Sequence, residues 1–497
     1  MENYIVTKIK NESKNSKDII YRDLDIENIK IHVIFSASLA DKFTISKVII
    51  EGIEEIFKNK NKDNKVIVIK KNKKNNEIKD SDKMDIVKNN LLAANIMELK
   101  KDDDLTYYIS SGFALIIIGN RILSVEVRAN VNRTIATPVN ENTIKGPKDA
   151  FNENYAVNIG LIKKRIKTSD LIVDEMIIGK QSKTRVGILH ISSIAKKEYL
   201  NKIKTKLESI DIDNILDSNY LVEILNENNK KTIFPTIIST ERPDVVSMHL
   251  SNGRIVIVVE NSPFALVLPA FLTDYFKNAD DYYMKNSSIL FTRLIRYASF
   301  IISIFLPAMY IALITFNQEA IPTELLMSFV AQRSTVVAPA FIECFIMVVA
   351  FELLREGDYR VVNAAGSTLS IVGALILGDA AVSAGVVSPI MIIVVAIATI
   401  SGLIFSDINM VNAVRNWRVI FLISATFGGL IGIFITLLIF ITKIVSIDEN
   451  EYIYTYPFSP VNITSLSDDT ISRKNTGKLK YRLKLLTDNI RKQVTKK

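Results

Sequence analysis

The chain has 497 residues, 48% of them hydrophobic, with a formal net charge of +9, one cysteine and three histidines. That length exceeds one ordinary domain, the lone Cys344 excludes a disulfide or a thiolate metal site within the chain, and His32, His190 and His249 share no spacing that sets two on one helical face. The basic surplus sits in Lys/Asn/Ile-rich runs such as KNKNKDNKVIVIKKNKKNNEIK without any RNA-binding or helix-turn-helix pattern, so no nucleic-acid partner and no metal or other cofactor are expected.

Residues 1–28 are polar, with basic charge but neither an apolar core nor a small-residue cleavage site, which predicts a flexible N-terminus and no signal peptide. Residues 29–135 alternate strand and helix signals: IKIHVIF and YYISSGFALIIIGNRILSVEVR read as strands, VIVI at 66–69 as a short buried strand, and TISKVIIEGIEEIF has helical periodicity. They form a first α/β subdomain. Residues 136–285 form a second, with helical NENYAVNIGLIKKRIK, strand TRVGILHIS, helical AKKEYLNKIKTKLESI, and a hairpin in GRIVIVVENSPFALVLP whose turn is Asn261, Ser262 and Pro263.

The next region, 286–445, reads as a multi-pass helical membrane domain of four to five spans. It holds uncharged stretches of 22 residues between Arg296 and Glu319, 18 between Arg360 and Asp379, 27 between Asp379 and Asp407, and 24 between Arg418 and Lys443. A span needs about 20 residues. Ser388 and Pro389 read as the N-cap and first position of one span, and Gly428, Gly429 and Gly432 mark where another can bend. Arg293, Arg296, Arg355, Arg360, Arg415 and Arg418 flank one side against Arg333 alone on the other, which orients the α/β domain to the cytoplasm. The tail, 446–497, is basic and contains LKYRLKLLTDNIRKQV, an amphipathic pattern suited to anionic lipid. A cytoplasmic tail conflicts with five full spans, so 361–378 is expected to be re-entrant or broken.

That segment is also where a pore face is expected. Gly366, Ser370, Gly373, Leu377, Ala380 and Ala384 recur at spacings of three and four, with Gly378 beside them, and Ser367 and Ser370 offer oxygens to water or ions. Acids add to it. Glu319, Glu324, Glu343 and Asp379 are expected to form an outer vestibule that concentrates cations. In AFIECFIMVVAFELL, Glu343 and Glu352 are nine residues apart, about 900° of helical rotation and half a turn out of phase. Glu352, three residues before Arg355, is read as an interfacial anchor, leaving Glu343 as the ion-path carboxylate. No phosphate-binding glycine loop and no nucleophile beside a histidine occurs, so no enzyme is expected.

Several stretches resemble the A subunit of GerA-type spore germinant receptors: NTIKGPKDAFNENYAVNIGLIKKRIKT, FPTIISTERPDVVSMHLSNGRIVIVVENSPFALVLP, DDYYMKNSSILFTRLIRYASFIISIFLPAMYIALITFNQEAIPTELL and SIVGALILGDAAVSAGVVSP. The resemblance implies a multi-pass protein of the spore inner membrane that acts in germination with a transporter-like B subunit and a lipoprotein C subunit. It also implies a homo-oligomeric ring in membrane lipid whose spans conduct cations when germinant arrives. Two alternatives stay open: a secondary transporter using Glu343 or Glu352 as carrier, and a non-conducting receptor scaffold.

Overall fold

A computed structural model describes residues 4–13, 16–26, 29–58, 80–93, 95–100, 103–128, 137–138, 140–226, 232–360, 378–449, 452–463, 466–471 and 486–487. The expected strand at 66–69, the pore-face residues Gly366, Ser367, Ser370 and Gly373, and most of the amphipathic tail lie outside the described residues. The chain divides into two compact units: Met1–Asn228 with Ile237–Pro269 and Lys480–Lys497, and Asn229–Thr236 with Ala270–Leu479.

The first unit repeats one plan. Its first half runs α1 (Tyr4–Glu12), β1 (Ile19–Ile26), β2 (Ile29–Ser36), α2 (Lys42–Thr44) passing through a π-helical turn into α3 (Gly52–Lys58), α4 (Asp80–Asn90), β3 (Ile96–Leu99), α5 (Leu105–Ser110), β4 (Phe113–Ile118) and β5 (Arg121–Glu126). Its second half runs α6 (Tyr155–Arg165), β6 (Leu171–Ile178), β7 (Thr184–Ile191), α7 (Lys197–Glu208), α8 (Ser218–Leu225), β8 (Ile238–Thr240), α9 (Pro243–Ser251), β9 (Ile255–Val259) and β10 (Ala265–Leu268). The antiparallel sheets are ordered β1-β2-β4-β5-β3 and β6-β7-β9-β10-β8. Counted from the first strand of each, the order is the same. In both, a second hairpin inserts between the first hairpin and a short edge strand.

The central strands β4, FALIII, and β9, IVIVV, are buried along their whole length, as runs of β-branched residues covered on two faces must be. Ile45, Ile49, Ile53 and Phe57 cover one face of the first sheet, and Ile5, Ile9, Leu105 and Ile109 cover the other.

Two expectations are corrected here. Residues 1–28, expected to be flexible, contain α1 and β1. Polar as the segment is, Ile5, Val6 and Ile9 recur at helical spacing and are buried, while β1 pairs with β2 from Ile19↔Ser36 to Ile26↔Ile29. Residues 105–110, read as strand from Tyr107 and Tyr108, form α5. Asp104 caps its N-terminus by accepting from the Tyr107 amide at 3.0 Å, and Leu105 and Ile109 bury one face. The hairpin at Asn261 forms as expected, and Asn261 takes the left-handed backbone (φ 65°) that asparagine tolerates.

The second unit is helical: α10 (Asn286–Thr315), α11 (Thr323–Arg333), α12 (Ala340–Arg360), α13 (Pro389–Gly402) and α14 (Ile408–Val445). Ser288–Thr315 and Ile408–Val445 are long and apolar enough to cross a membrane, and Pro389–Gly402 is a shorter apolar helix. Yet α14 is not one rod. Gly429 leaves the helical region at φ 55°, ψ −138°, and the chain doubles back. The Trp417 and Phe440 rings lie 4.8 Å apart, whereas 23 residues of straight helix would separate them by about 34 Å. Ser424 Oγ donates to the Gly432 carbonyl at 2.8 Å, and Thr436 Oγ1 donates to Ser424 Oγ at 2.6 Å. A Cβ at Gly432 would fall 2.3 Å from the Ser424 carbonyl, so this contact requires glycine. The stretch 419–442, expected to be one span that bends, is a tight helical hairpin.

The two chain ends of this unit meet. Leu272 N donates to Tyr454 O at 2.9 Å, and Arg293 Nη1 donates to the Asp469 carbonyl at 2.8 Å. The start of the region expected to be a basic tail carries a two-stranded ladder, Asp448–Glu449 with Tyr452–Ile453, and packs beside the entry to α10. Aromatic side chains at 271, 454 and 456 hold it there.

Candidate functional site

Buried charges are stacked along the helical unit from one end to the other. At the first end Arg293, fully buried, donates from Nε to Asp281 at 3.0 Å and from Nη2 to Asp469 at 3.1 Å. Arg296 reaches the same Asp281 oxygen at 2.7 Å. Burial and the neighbouring Asp469 raise the Tyr282 phenol well above its ordinary value, so it stays protonated and donates to Asp469 at 3.1 Å. On the same flank Glu352 is ion-paired with Arg355 in the adjacent turn and with Arg415 at 3.3 Å.

Deeper in the unit lies Arg418, 4% exposed. Its Nε donates to the Ser303 carbonyl at 2.7 Å, and its Nη2 donates to Ser303 Oγ at 2.5 Å and the Ala398 carbonyl at 3.0 Å. One guanidinium thereby joins α10, α13 and the first arm of α14, in a slot left open by Gly402, where a Cβ would sit 2.9 Å from Nη2. Among the described residues no carboxylate pairs with it. Ser303 lies seven residues beyond Arg296, about 10 Å along the helix. Arg418 was expected at the water boundary. Pattern reading missed its burial because Arg415 and Arg418 are three residues apart and look equivalent, and only the packing of α13 against α10 separates them.

The third level holds Glu343, 0% exposed. Its Oε1 accepts from Arg333 Nη2 at 3.1 Å, and its Oε2 accepts from the Ser388 amide at 3.1 Å and from Ser388 Oγ at 3.0 Å. Ser388 is the N-cap of α13, with Pro389 following as expected, but its hydroxyl does not cap its own helix. The Glu343 carboxylate takes that role, at the end of α13 where backbone N–H groups are unsatisfied and the helix dipole favours negative charge. It ties α11, α12 and α13 together. The expectation of Glu343 in an open acidic vestibule is therefore corrected: it is buried, and its hydrogen bonds from Arg333 and Ser388 lie within the unit. Glu319, Glu324 and Asp379 are exposed, and no hydrogen bond or ion pair joins them to Glu343 among the described residues. Gly378 and Ala380 lie in a helical stretch, 378–383, where a Cβ on Gly378 would meet open space.

A cavity of about 300 Å³ opens beside this tie, lined by Ile314 from the last turn of α10, Gln318 from the connection, and Leu326, Phe329 and Arg333 from α11.

In the first unit, an acidic clasp sits in STERPD. Glu241 Oε1 accepts from the Asn140 and Glu141 amides at 2.6 and 2.8 Å, while Glu141 Oε2 accepts from Thr240 Oγ1 at 2.5 Å and the Glu241 amide at 3.2 Å. Burial, with the Glu241 charge adding to it, pushes the Glu141 carboxyl up to about 7. Fully buried Arg242 closes the clasp through Asp244 at 2.9 Å and the Pro147 carbonyl at 2.9 Å.

Comparison with known proteins finds relatives of this chain. The profile described as "Bacillus/Clostridium GerA spore germination protein" matches residues 7–485. Spore germination protein KA of Bacillus subtilis (strain 168) is 32% identical, over 93% of this chain and 82% of that one. The uncharacterized membrane protein YfkQ of the same organism is 32% identical, over 71% of each. Among solved structures, the N-terminal domain of the A subunit of the Bacillus megaterium spore germinant receptor GerK3 aligns with 54% of this chain and 94% of its own, at 30% identity and a TM-score of 0.39.

Proposed function

Because this chain belongs to the GerA family of spore germination proteins of Bacillus and Clostridium, we propose that its helical unit is the multi-pass membrane part of a germinant receptor subunit, whose copies oligomerise around a germinant-gated cation path. The observation that carries the membrane reading is the unit's outer surface. Ile301, Ile393, Ile400, Phe427, Ile431 and Phe434 each expose more than half of their area, an apolar belt that suits lipid. The relative YfkQ, named as a membrane protein, supports the same reading.

The hairpin at Gly429 supplies the missing parity. α10 leaves the Arg293 end, and α12 runs back from the Glu343 level to Glu352 and Arg415. α13 starts at the Glu343 level, and the two arms of α14 leave and come back. With α14 counted as two crossings, the five expected spans become six, and 446–471 comes back to the end where α10 begins. We assign 446–471 and the N-terminal α/β domain to the cytoplasmic side of the spore inner membrane.

In this reading Arg418 and Glu343 are the internal braces of each subunit rather than ion ligands, and Glu352 with Arg355 is the anchor at the inner boundary. The ion path falls to the exposed acids Glu319, Glu324 and Asp379 and to the small face continuing through Gly378 and Ala380, with Ser367 and Ser370 upstream. The open space at Gly378 favours a second copy of the chain packing there. The B and C receptor subunits are the remaining partners, and no catalytic role is assigned.

The test is reconstitution of the full chain with its partner subunits in liposomes. Germinant should release monovalent cations at a rate that does not saturate with cation concentration, and Asp379→Asn should lower it. Saturable flux would replace the channel with a transporter, and absence of flux with all subunits present would leave a scaffold.

A further inference from the structure

We propose that the cavity between the end of α10 and α11 is a ligand site for a small monocarboxylate with a short apolar body, and that its occupant competes with Glu343 for Arg333. The volume, about 300 Å³, lies at the lower end of small-molecule sites. Its walls are mostly apolar, with Ile314, Leu326 and Phe329 among them, and its polar side chains are those of Gln318, Arg333 and Ser334. Gln318 already spends its amide on the Ile314 carbonyl at 2.7 Å, and Ser334 Oγ spends its proton on the Ala331 carbonyl at 2.7 Å.

Arg333 is different. Its Nη2 is bonded to Glu343, but its Nε is shielded from solvent and has no hydrogen-bond partner among the described residues. A shielded guanidinium N–H without an acceptor is costly, and Arg333 is one of the residues that line the cavity. The guanidinium presents its donors as a planar fork, which a carboxylate satisfies with two oxygens at once and a neutral group does not. The chemistry of the wall therefore selects an anionic head and an apolar remainder.

Occupancy has a consequence beyond binding. A carboxylate drawn to Arg333 weakens the Arg333–Glu343 pair, and Glu343 also holds the N-terminus of α13 through Ser388. The site would therefore couple a small acid to the seating of α13. This inference goes beyond the conduction reading and does not depend on it, since its readout is binding.

The experiment uses the full chain in nanodiscs, with phenylacetate as probe and phenylacetamide as its neutral counterpart, read by thermal unfolding and by ligand-observed NMR. Phenylacetate should raise the melting temperature in a concentration-dependent way, by on the order of two to four degrees well above its dissociation constant, and phenylacetamide should not. Arg333→Gln should abolish the difference between the two compounds. Leu326→Trp, which fills the cavity and leaves the Arg333–Glu343 pair in place, should remove the response to both and keeps the test decisive if the Arg333 variant fails to fold. The proposal is overturned by equal shifts from the two compounds, by a phenylacetate response that survives Leu326→Trp, or by no response at all.

Discussion

Glu343→Gln separates a brace from an ion ligand. The carboxylate accepts three bonds within 3.1 Å, two from Ser388 and one from Arg333. Glutamine keeps one oxygen, which can still accept from Ser388, but its NH2 then faces the guanidinium and leaves Arg333 without its partner. Removing one member of a buried ion pair costs about 3–5 kcal/mol. Arg333 is 23% exposed and water relieves part of that, so about 2–3 kcal/mol is expected. For a unit of this size that lowers the melting temperature by about 5–10 °C.

The assay is thermal unfolding of the full chain in nanodiscs, with protein level in the membrane as a second readout. Adding Arg333→Met removes the orphaned charge and should recover about half of the loss, a coupling that independent sites would not show. The reasoning is refuted if Glu343→Gln leaves melting temperature and protein level unchanged while cation flux alters. Glu343 would then be a carboxylate of the path.

Three further outcomes follow from the geometry. In a Cys344→Ala background, Ser424→Cys with Thr436→Cys should form an intramolecular disulfide on mild oxidation, because the two hydroxyls are 2.6 Å apart, whereas a straight helix would hold them about 18 Å apart. Failure to cross-link would remove the hairpin and the parity built on it. Glu141, raised from 4.5 to about 7, keeps between those values a proton that the unfolded chain has released. Stability therefore falls by about 3–4 kcal/mol as pH rises through that interval and levels off above it; denaturant titrations across pH 4 to 8 should show this slope, and Glu141→Gln should flatten it. Lys163, 7% exposed, pairs with Asp18, 4% exposed, across the two repeats of the first unit. Lys163→Met should cost about 3 kcal/mol by stranding Asp18, with Asp18→Asn restoring part of it; equal stability of the single and double variants would show that the pair carries no coupling.

Much of the secondary structure is legible locally. The β-branched runs of β4 and β9, the Asn-Ser-Pro turn between β9 and β10, and the helical periodicity of α6 and α7 depend on spacings of two to four residues, and these the amino-acid order alone sets. The ion pair of Glu352 with Arg355 belongs to the same class, since one helical turn joins them. The duplication in the first unit was invisible because the two repeats share strand order rather than residues, and sheet order is a property of pairing across the fold.

The charged core was equally out of reach. Glu343 meets Arg333 ten residues away and Ser388 forty-five residues away, and Arg418 meets Ser303 from 115 residues away. Such contacts exist only once helices have packed. The Gly428-Gly429 pair announced a break but not its angle, because glycine permits the left-handed backbone without requiring it. Phe316, whose Cβ lies 2.9 Å from where a Gly429 side chain would begin, and the Ser424–Gly432 contact turn that permission into a hairpin. Sequence alone thus determined which segments are apolar, which turn, and which carry charge. Tertiary packing decided that the last helix folds in two and that the conspicuous acid in AFIECFIMVVAFELL faces inward, because burying a charge requires partners that only the folded chain brings within reach.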